Sequence, residues 1–218
     1  MNFPLPDASA SELAAWIGAH LDPLEAGRGD APVWRSDFDL DPAVAADGAE
    51  VLTPAAVLIA LVERDEGLSV ILTRRADTLR RHTGQVAFPG GRSDPGETPW
   101  STALREAEEE IGLDPARVRL IGLSTPYRTG TGYDVTPVVG FTAPPLKLSP
   151  NPAEVAEVFE TPFGFLMDPA NHEQRERELP DGRRRRFYAM TWEDRLIWGA
   201  TAGMLRALYD RLYGAALA

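Results

Sequence analysis

The chain has 218 residues, of which 44% are hydrophobic and 25% charged. These values are typical of one globular domain with extensions, and they disfavour a disordered chain, a collagen-like repeat or a coiled-coil rod. The net charge of −11 disfavours nucleic acid as a partner, because most of the surface would repel phosphate groups.

Three further features narrow the class of protein. The best apolar run, residues 55–62, is far shorter than the roughly 18 residues of a membrane helix, so no membrane partner is expected. Residues 1–7 lack the basic and apolar regions of a secretory signal. The sequence contains no cysteine, which excludes disulfides, thiolate zinc sites and thiol nucleophiles. We therefore expect a cytoplasmic protein.

Residues 1–50 are predicted to form an N-terminal helical and irregular extension, and residues 51–218 the main domain. Within 7–24, apolar residues at helical spacing predict an amphipathic helix: Leu13, Trp16, Ile17, Leu21 and Leu24. Its apolar face is predicted either to cover the core or to contribute to a homodimer. Glycine, proline, aspartate and alanine then dominate up to residue 53 and predict irregular structure.

The main domain begins with elements that lead into a central helix. Apolar runs at 55–62 and 68–73, joined by a charged loop, predict a hairpin, and a third strand is predicted at 85–88. The Pro89-Gly-Gly sequence then breaks regular structure. Thr98 as N-cap, Pro99 in the first turn and Gly112 after the last turn predict a helix over 99–111.

The remaining elements follow the same kinds of pattern. Strands are predicted at 118–123, 135–142 and 154–159, loops at 124–132 and 143–152, and a short helix at 162–166. A hairpin is predicted around residues 180–182, between 176–179 and 184–190. A last helix is predicted over 196–213, with a buried face made of Ile197, Ala200, Met204, Leu205 and Leu208.

Three carboxylates fall on one arc of the central helix, because Glu106, Glu109 and Glu110 are three and four residues apart. Like charges at such spacings cost roughly 0.2–0.5 kcal/mol per pair unless something compensates them. Mg²⁺ would compensate them, since it prefers oxygen ligands completed by water and phosphate. Taken alone, the triplet fits a glutamate-rich surface helix better than a metal site.

The spacing around the triplet changes that interpretation. Gly91, Glu97, Arg105-Glu106, Glu109-Glu110 and Gly112-Leu113 follow the pattern G-x5-E-x7-R-E-U-x-E-E-x-G-U, where U is aliphatic. This pattern resembles the Nudix box, and only the first aliphatic position departs from it, being alanine. The resemblance implies an α/β fold, an α/β/α sandwich around a mixed sheet. It also implies a pyrophosphohydrolase that cleaves a nucleoside diphosphate linked to another moiety.

The same resemblance implies roles for individual residues. Glu106 and Glu110 are the implied principal ligands of Mg²⁺ or Mn²⁺, with the carbonyl of Gly90 as a further ligand. Glu109 is implied as another ligand or as the group that orients the attacking water. We expect that water to attack phosphorus directly, because metal ions can neutralise the phosphate oxygens and lower the pKa of water.

Two further contributions are implied around the box. Arg105 and Glu97 resemble the internal pair of the family, in which a guanidinium holds a carboxylate and fixes the loop. Nudix enzymes often add a carboxylate from outside the box, and we select Glu157, although a solvent-facing strand residue is the simpler interpretation. The general base stays open among three residues: Glu109, Glu157 and Glu160.

A second motif precedes the box. The segment from Leu72 to Gly91 matches L-T-x-R-[SA]-x3-R-x3-G-x3-F-P-G-G at every specified position. It resembles the signature of the coenzyme A pyrophosphatase branch, which implies a small-molecule substrate, coenzyme A, cleaved to 3′,5′-ADP and 4′-phosphopantetheine. The predicted substrate-binding residues are Arg75, Arg80, His82 and Gln85. Alternatively, these arginines pair with surface carboxylates.

Several alternatives stay open. The stretch 183–186 consists of four arginines and is predicted to be a solvated strand edge or, alternatively, a contact for an anion such as the 3′-phosphate. The substrate could instead be ADP-ribose, NADH or a damaged nucleoside triphosphate. A catalytically silent nucleotide-binding regulator is a third hypothesis, which the complete carboxylate cluster disfavours.

Overall fold

A computed structural model of the protein describes residues 8–26, 35–42, 51–76, 84–179 and 182–214. The helices in chain order are α1 (Ala10–Ala19), α2 (Pro99–Ile111), α3 (Phe163–Leu166) and α4 (Ala200–Tyr213). The strands are β1 (Arg35–Ser36), β2 (Thr53–Arg64), β3 (Gly67–Arg75), β4 (Val86–Ala87), β5 (Gly90–Arg92), β6 (Arg119–Leu123), β7 (Tyr127–Arg128), β8 (Tyr133–Thr142), β9 (Val155–Pro162), β10 (Glu173–Glu178), β11 (Arg184–Trp192) and β12 (Arg195–Trp198).

Strands β1 to β9 form one mixed sheet with β2 near its centre. β2 pairs with β8 in parallel along most of its length, whereas β2 and β3 pair only next to their connecting turn, from Leu61↔Val70 to Arg64↔Gly67. Farther from the turn, β5 pairs with β2 and β4 pairs with β3. The chain segment 86–92 therefore fills a gap between the two central strands.

Helices cover both faces of this sheet. Side chains alternate along β2, so that Ile59 and Leu61 lie on one face while Leu58 and Ala60 lie on the other. The first face packs against α1 and α4, and the second face packs against α2. The predicted α/β/α sandwich around a mixed sheet is confirmed.

The central helix has the predicted bounds. The hydroxyl of Thr98 accepts a hydrogen bond from the N–H of Ser101, which satisfies one of the free donors of the first turn. Pro99 occupies the first turn, and Gly112 follows the helix at φ 66°, a conformation that favours glycine. These local signals place the carboxylates of α2 without help from tertiary contacts.

The last helix begins later than predicted. It starts at Ala200 rather than at residue 196, because residues 195–198 pair with β11 as strand β12. A two-residue turn joins the two strands and contains Glu193 at φ 54°. Strands β10 to β12 form a second, three-stranded sheet. The predicted loop 124–132 likewise contains a short strand, β7, which pairs with β8.

Both described parts of residues 1–50 pack against the main domain. Helix α1 is shorter than predicted and begins after a capping box formed by Ser9 and Glu12. Its residues Leu13 and Ile17 are buried in the core, so that the helix covers the core, the first of the two alternatives. Strand β1 pairs in parallel with β7. The domain boundary at residue 50 and a homodimer stay predictions.

The segment 35–42 is fixed by a buried ion pair. Asp37 lies 3.1 Å from the guanidinium of Arg185, and the two side chains are 11% and 9% exposed. The same carboxylate accepts hydrogen bonds from the hydroxyl of Tyr127 and the N–H of Gly130. Arg186 pairs with Asp41 and Arg184 with Glu176. These three arginines of the 183–186 stretch are therefore engaged by carboxylates of the protein itself.

We expect Asp37→Ala to lower the free energy of unfolding by about 3–5 kcal/mol, because the variant leaves a buried guanidinium without its partner. Denaturant unfolding measures this loss. The double variant Asp37→Leu with Arg185→Met should recover much of the stability, since it buries no charge. A loss below about 1 kcal/mol for the single variant would contradict the buried pair.

None of the helices in the described parts of the chain has the length and apolar character needed to cross a membrane.

Candidate active site

Two carboxylates of α2 converge on the turn that joins β4 to β5. The N–H of Gly90 donates a hydrogen bond to Oε2 of Glu110 at 3.2 Å. The α-carbon of Gly91 lies so close to Glu106 that a β-carbon there would be 2.6 Å from the carboxyl carbon. Glycine at position 91 is thus required for Glu106 to approach the turn.

The environment of these carboxylates disfavours their negative charge. Glu110 is only 4% exposed, and burial raises its pKa from 4.5 to about 7. Burial also raises the pKa of Glu106. The nearby charges of Glu109 and Glu154 add to the rise for Glu106, and Glu154 also acts on Glu110. A cation between Glu106 and Glu110 would remove this penalty.

The donor atoms at this position suit a hard divalent cation. Glu106 and Glu110 offer carboxylate oxygens, which Mg²⁺ and Mn²⁺ accept as ligands, and both ions also take water and phosphate oxygens. Among the described residues, no group of three or more histidine, cysteine or acidic side chains is placed so that it could hold a metal ion. Two carboxylates supply only part of the oxygen ligands of such an ion, and water and phosphate oxygens can supply the others.

Glu109 is the most exposed of the three carboxylates. Its side chain is 56% exposed, and it accepts a hydrogen bond from Arg105 at 3.2 Å. This contact leaves its role as a ligand or as an orienting group a prediction. Gly90 is present at the site through its N–H group, and the predicted use of its carbonyl as a ligand likewise stays a prediction.

Arg105 and Glu97 form the predicted internal pair. Nε and one terminal nitrogen of Arg105 lie 2.7 and 3.0 Å from the two oxygens of Glu97. Glu97 also accepts hydrogen bonds from the N–H of Asp94 and the hydroxyl of Thr102. The hydrogen bond from Arg105, together with these donors, lowers the pKa of Glu97 to about 2. The pair fixes the loop 92–97 to the helix.

Arg105 also contacts Glu106, one of the two converging carboxylates. Its second terminal nitrogen donates to Oε1 of Glu106 at 2.9 Å, and its guanidinium donates to the carbonyl of Arg92. One planar group therefore contacts the loop, the strand β5 and a proposed metal ligand. This planar fork cannot be reproduced by an ammonium group.

We expect Arg105→Lys to lower kcat about 10–100-fold, because a group that orients a metal ligand is lost while the positive charge is kept. Steady-state kinetics at saturating metal checks this result. Arg117→Lys is the matched control, because the side chain of Arg117 donates to the backbone carbonyl of Ala143 and is not seen to contact the carboxylates of α2 in the described structure. Equal activities of the two variants would contradict the orienting role.

Glu157, predicted as the carboxylate from outside the box, does not join the cluster. It pairs with Arg195 at 2.6 Å and Arg74 at 3.2 Å, and the hydrogen bond from Arg195 is the main reason that its pKa is lowered. It lies on the same face of β9 as Phe159, which packs on the α1 and α4 side of the sheet. The site lies on the other side, with α2.

Glu154 is the outside carboxylate whose charge acts on both Glu106 and Glu110. It precedes β9, and its carbonyl accepts a hydrogen bond from the N–H of Ala76. The sequence contains the same series of glutamates at 154, 157 and 160, but it does not reveal the register shift between β3 and β9 near Arg75. Glu160 pairs with Arg64, and its role as general base stays a prediction.

Two of the predicted substrate-binding residues lie at the site or next to it. A terminal nitrogen of Arg75 is 3.9 Å from Oε1 of Glu110, and its buried Nε has no hydrogen-bond partner among the residues that the structure describes. The N–H of Arg75 donates to the carbonyl of Gln85, which places Gln85 on the neighbouring chain segment. Arg80 and His82 lie outside the described residues.

The sequence is similar to known proteins of one family. The NUDIX domain model matches residues 52–181. The chain is 41% identical over 159 residues to the uncharacterized Nudix hydrolase NudL from Photorhabdus laumondii, a match that covers 72% of this chain and 84% of the relative. The relative of the same name from Yersinia pestis (strain Pestoides F) is also 41% identical over 159 residues, which are 72% of this chain and 79% of that protein.

Among solved structures, a Nudix hydrolase from M. smegmatis is similar with a TM-score of 0.47 and 20% identity, over 76% of this chain and 86% of that one. A Nudix hydrolase from Nitrosomonas europaea is similar with a TM-score of 0.47 and 16% identity, over 81% and 78% of the two chains. The family model and the relatives carry the assignment. The chain therefore belongs to the Nudix hydrolases, pyrophosphohydrolases that use a divalent cation to cleave nucleoside diphosphate derivatives.

Proposed function

We propose that the enzyme hydrolyses the diphosphate linkage of coenzyme A or one of its derivatives, giving 3′,5′-ADP and 4′-phosphopantetheine, with Mg²⁺ or Mn²⁺. The position of Arg75 carries this proposal. Arg75 belongs to the motif that resembles the coenzyme A signature, and its guanidinium reaches to 3.9 Å from Glu110. An arginine held there can contact a phosphate that approaches the carboxylate cluster.

Glu106 and Glu110 would hold the divalent cation. When bound, the cation would neutralise the diphosphate oxygens and make water a better nucleophile. Arg75 would contact a phosphate oxygen and share its charge with Glu110. Arg105 would keep Glu106 in place through the hydrogen bond at 2.9 Å. Neither arginine can take up a proton, and we assign the general base to a carboxylate.

The chemical step that these groups support is direct attack by water on one phosphorus of the diphosphate. A bond forms between the water oxygen and phosphorus, and the bond from that phosphorus to the bridging oxygen breaks. The water proton passes to a carboxylate, and the bridging oxygen leaves with the second phosphate. We propose Glu154 as this carboxylate, because its charge acts on both Glu106 and Glu110, whereas Glu109, Glu157 and Glu160, the other candidates, are each paired with an arginine.

We expect Glu154→Gln to lower kcat about 10²–10⁴-fold, the usual contribution of a positioned general base. Glu157→Gln is the matched control, because it removes the same charge from the same strand region on the opposite face. Its kcat should stay within about threefold of the wild type. The pH profile of kcat should lose its acidic limb only in the Glu154 variant, and the reverse pattern would return the assignment to Glu157.

A product assay tests the substrate. Purified protein with Mg²⁺ or Mn²⁺ is incubated with coenzyme A, its disulfide, an acyl ester, ADP-ribose, NADH and nucleoside triphosphates, and the products are separated by chromatography. The proposal requires 3′,5′-ADP from coenzyme A or a derivative with the highest kcat/KM. Faster cleavage of ADP-ribose or NADH would overturn the substrate and keep the chemistry.

The Arg75→Gln variant makes this assay specific. Its kcat/KM for coenzyme A should fall about 10–100-fold, because a charged phosphate contact is lost. Arg92→Gln is a control for general charge effects, since Arg92 is exposed on the neighbouring strand β5. If no substrate is cleaved although nucleotides bind, the regulator hypothesis replaces that of an enzyme for coenzyme A.

A further inference from the structure

A buried hydroxyl from the last helix contacts β4, the strand that leads into the turn between β4 and β5. We call this turn, residues 88–90, the catalytic turn. Thr201 lies in the first turn of α4 and is 6% exposed. Its hydroxyl donates a hydrogen bond to the carbonyl of Val86 at 3.0 Å. Val86 is itself 4% exposed, so solvent water cannot replace Thr201 as the donor to this carbonyl.

The strand that Thr201 contacts forms few backbone hydrogen bonds of its own, because it is short. β4 has only two residues, and it pairs only with β3 in the described structure. The hydroxyl of Thr73 donates to the next carbonyl, that of Ala87, at 3.2 Å. Two threonine hydroxyls therefore hold two successive carbonyls, and Thr201 is the one that comes from outside the central sheet.

The position of β4 sets the position of the catalytic turn. After Ala87 the chain crosses from β3 to β2, where the carbonyl of Pro89 accepts from the N–H of Leu58 at 2.8 Å. The N–H of Gly90 then holds Glu110. A displacement at Val86 is thus transmitted over four residues to the donor that orients a proposed metal ligand.

Helix α4, which carries Thr201, is held in place by contacts with other elements. Near its other end, Arg211 forms two hydrogen bonds to the carboxylate of Asp22, at 2.5 and 3.0 Å. Asp210 also accepts a hydrogen bond from Arg35 at 2.7 Å. The helix is therefore held to the connection after α1 and to β1.

We propose that Thr201 is a positioning residue for hydrolysis: its hydroxyl fixes β4 and thereby the Gly90–Glu110 contact. The inference rests on the proposed roles of Glu110 and Gly90, but it does not depend on which nucleotide is cleaved. Thr201 lies outside the residues that the family model matches, 52–181. The C-terminal helix thus contributes to catalysis without touching the substrate.

The experiment compares Thr201→Val with Thr201→Ser. Valine keeps the shape and removes the donor, whereas serine keeps the donor and removes a methyl group. For the valine variant we expect kcat about tenfold lower with KM changed less than about threefold, since a small misplacement of catalytic groups affects the chemical step. The serine variant should retain kcat within about twofold.

Two measurements need no substrate and separate this inference from the choice of coenzyme A. In the metal-free protein, the amides of residues 86–91 should exchange hydrogen faster in the valine variant than in the wild type and the serine variant. Binding of Mn²⁺, followed by electron paramagnetic resonance, should weaken about tenfold in the valine variant only. These results hold even if the wild type cleaves a different nucleotide.

Two controls exclude a general effect of stability. Thr161→Val makes the same change at a fully buried hydroxyl on β9 that has no partner in the described parts of the chain. Ile17→Val loosens the core at α1, which is not hydrogen-bonded to β4 in the described structure. Both should keep kcat, exchange at 86–91 and Mn²⁺ affinity. The proposal would be overturned if Thr201→Val exchanged hydrogen at 86–91 and bound Mn²⁺ like the wild type. It would also be overturned if Thr201→Ser, or Ile17→Val at a matched melting temperature, lost as much kcat and Mn²⁺ affinity as Thr201→Val.

Discussion

Glu110→Gln is expected to abolish hydrolysis and at the same time to stabilise the metal-free protein. The loss in kcat/KM should be at least about 10³-fold, which corresponds to about 4 kcal/mol of transition-state stabilisation lost with a charged metal ligand. The glutamine keeps the volume and still accepts the hydrogen bond from the N–H of Gly90. Activity and stability should therefore change in opposite directions.

The gain in stability follows from the pKa of Glu110. Burial raises this pKa from 4.5 to about 7, so that the folded state binds the proton more tightly than the unfolded chain does. The stability due to this proton is fully present below about pH 4.5 and is lost as the pH rises through about 7. By pH 8 the metal-free wild type has lost about 3 kcal/mol that the glutamine variant does not lose.

Thermal unfolding in a metal chelator between pH 5 and pH 8 measures this difference. The melting temperature of the wild type should fall more steeply with rising pH than that of the variant. Adding Mn²⁺ should then raise the melting temperature of the wild type and leave that of the variant nearly unchanged. Parallel pH curves would show that Glu110 is not held in a buried environment.

Gly90→Ala is expected to remove activity through the backbone. A β-carbon at this position would lie 2.4 Å from the carbonyl oxygen of Ala56 and 2.6 Å from the α-carbon of Val57, both on the central strand β2. The glycine also has φ +158°, at the edge of the region that favours glycine. Neither backbone atom can give way, so β5 must shift away from β2. We expect a loss of about 2–5 kcal/mol of stability and kcat below about 1% of the wild type.

Gly67→Ala is the matched control for this prediction. Gly67 has φ +117°, but a β-carbon there would meet no atom within 4 Å. It lies at the turn between β2 and β3, away from the carboxylate cluster. The control should lose about 1–3 kcal/mol of stability and retain kcat, because it carries conformational strain without displacing the catalytic turn. Comparable kcat values for the two variants would contradict the steric argument.

Much of the site could be predicted from the sequence because it is local. Arg105 and the carboxylates of α2 are related by helical spacing, and Thr98 and Gly112 fix both ends of that helix. The positions of these groups relative to one another follow from helix geometry alone. The Nudix box is likewise a local pattern, and the α/β/α sandwich followed from its resemblance to that family.

Other features depend on contacts between distant parts of the chain. The periodicity of residues 196–198 favoured a helix, but hydrogen bonds to β11 make this segment a strand. The composition of residues 25–53 predicted irregular structure, and yet β1 joins the sheet because Asp37 finds Arg185, Tyr127 and Gly130. No local pattern encodes such partners.

The glutamates in and just before β9 also separate what the sequence determined from what the tertiary structure decided. The sequence by itself determined that a carboxylate recurs every third residue at 154, 157 and 160. The tertiary structure decided how they are placed: strand pairing and a register shift beside Arg75 direct Glu157 to the face away from α2, whereas the charge of Glu154 acts on Glu106 and Glu110. Side-chain direction in a strand changes with every residue, so a single irregularity in pairing reverses it. Local spacing therefore defined the helix-borne part of the site, while long-range pairing defined the groups that meet it from the sheet.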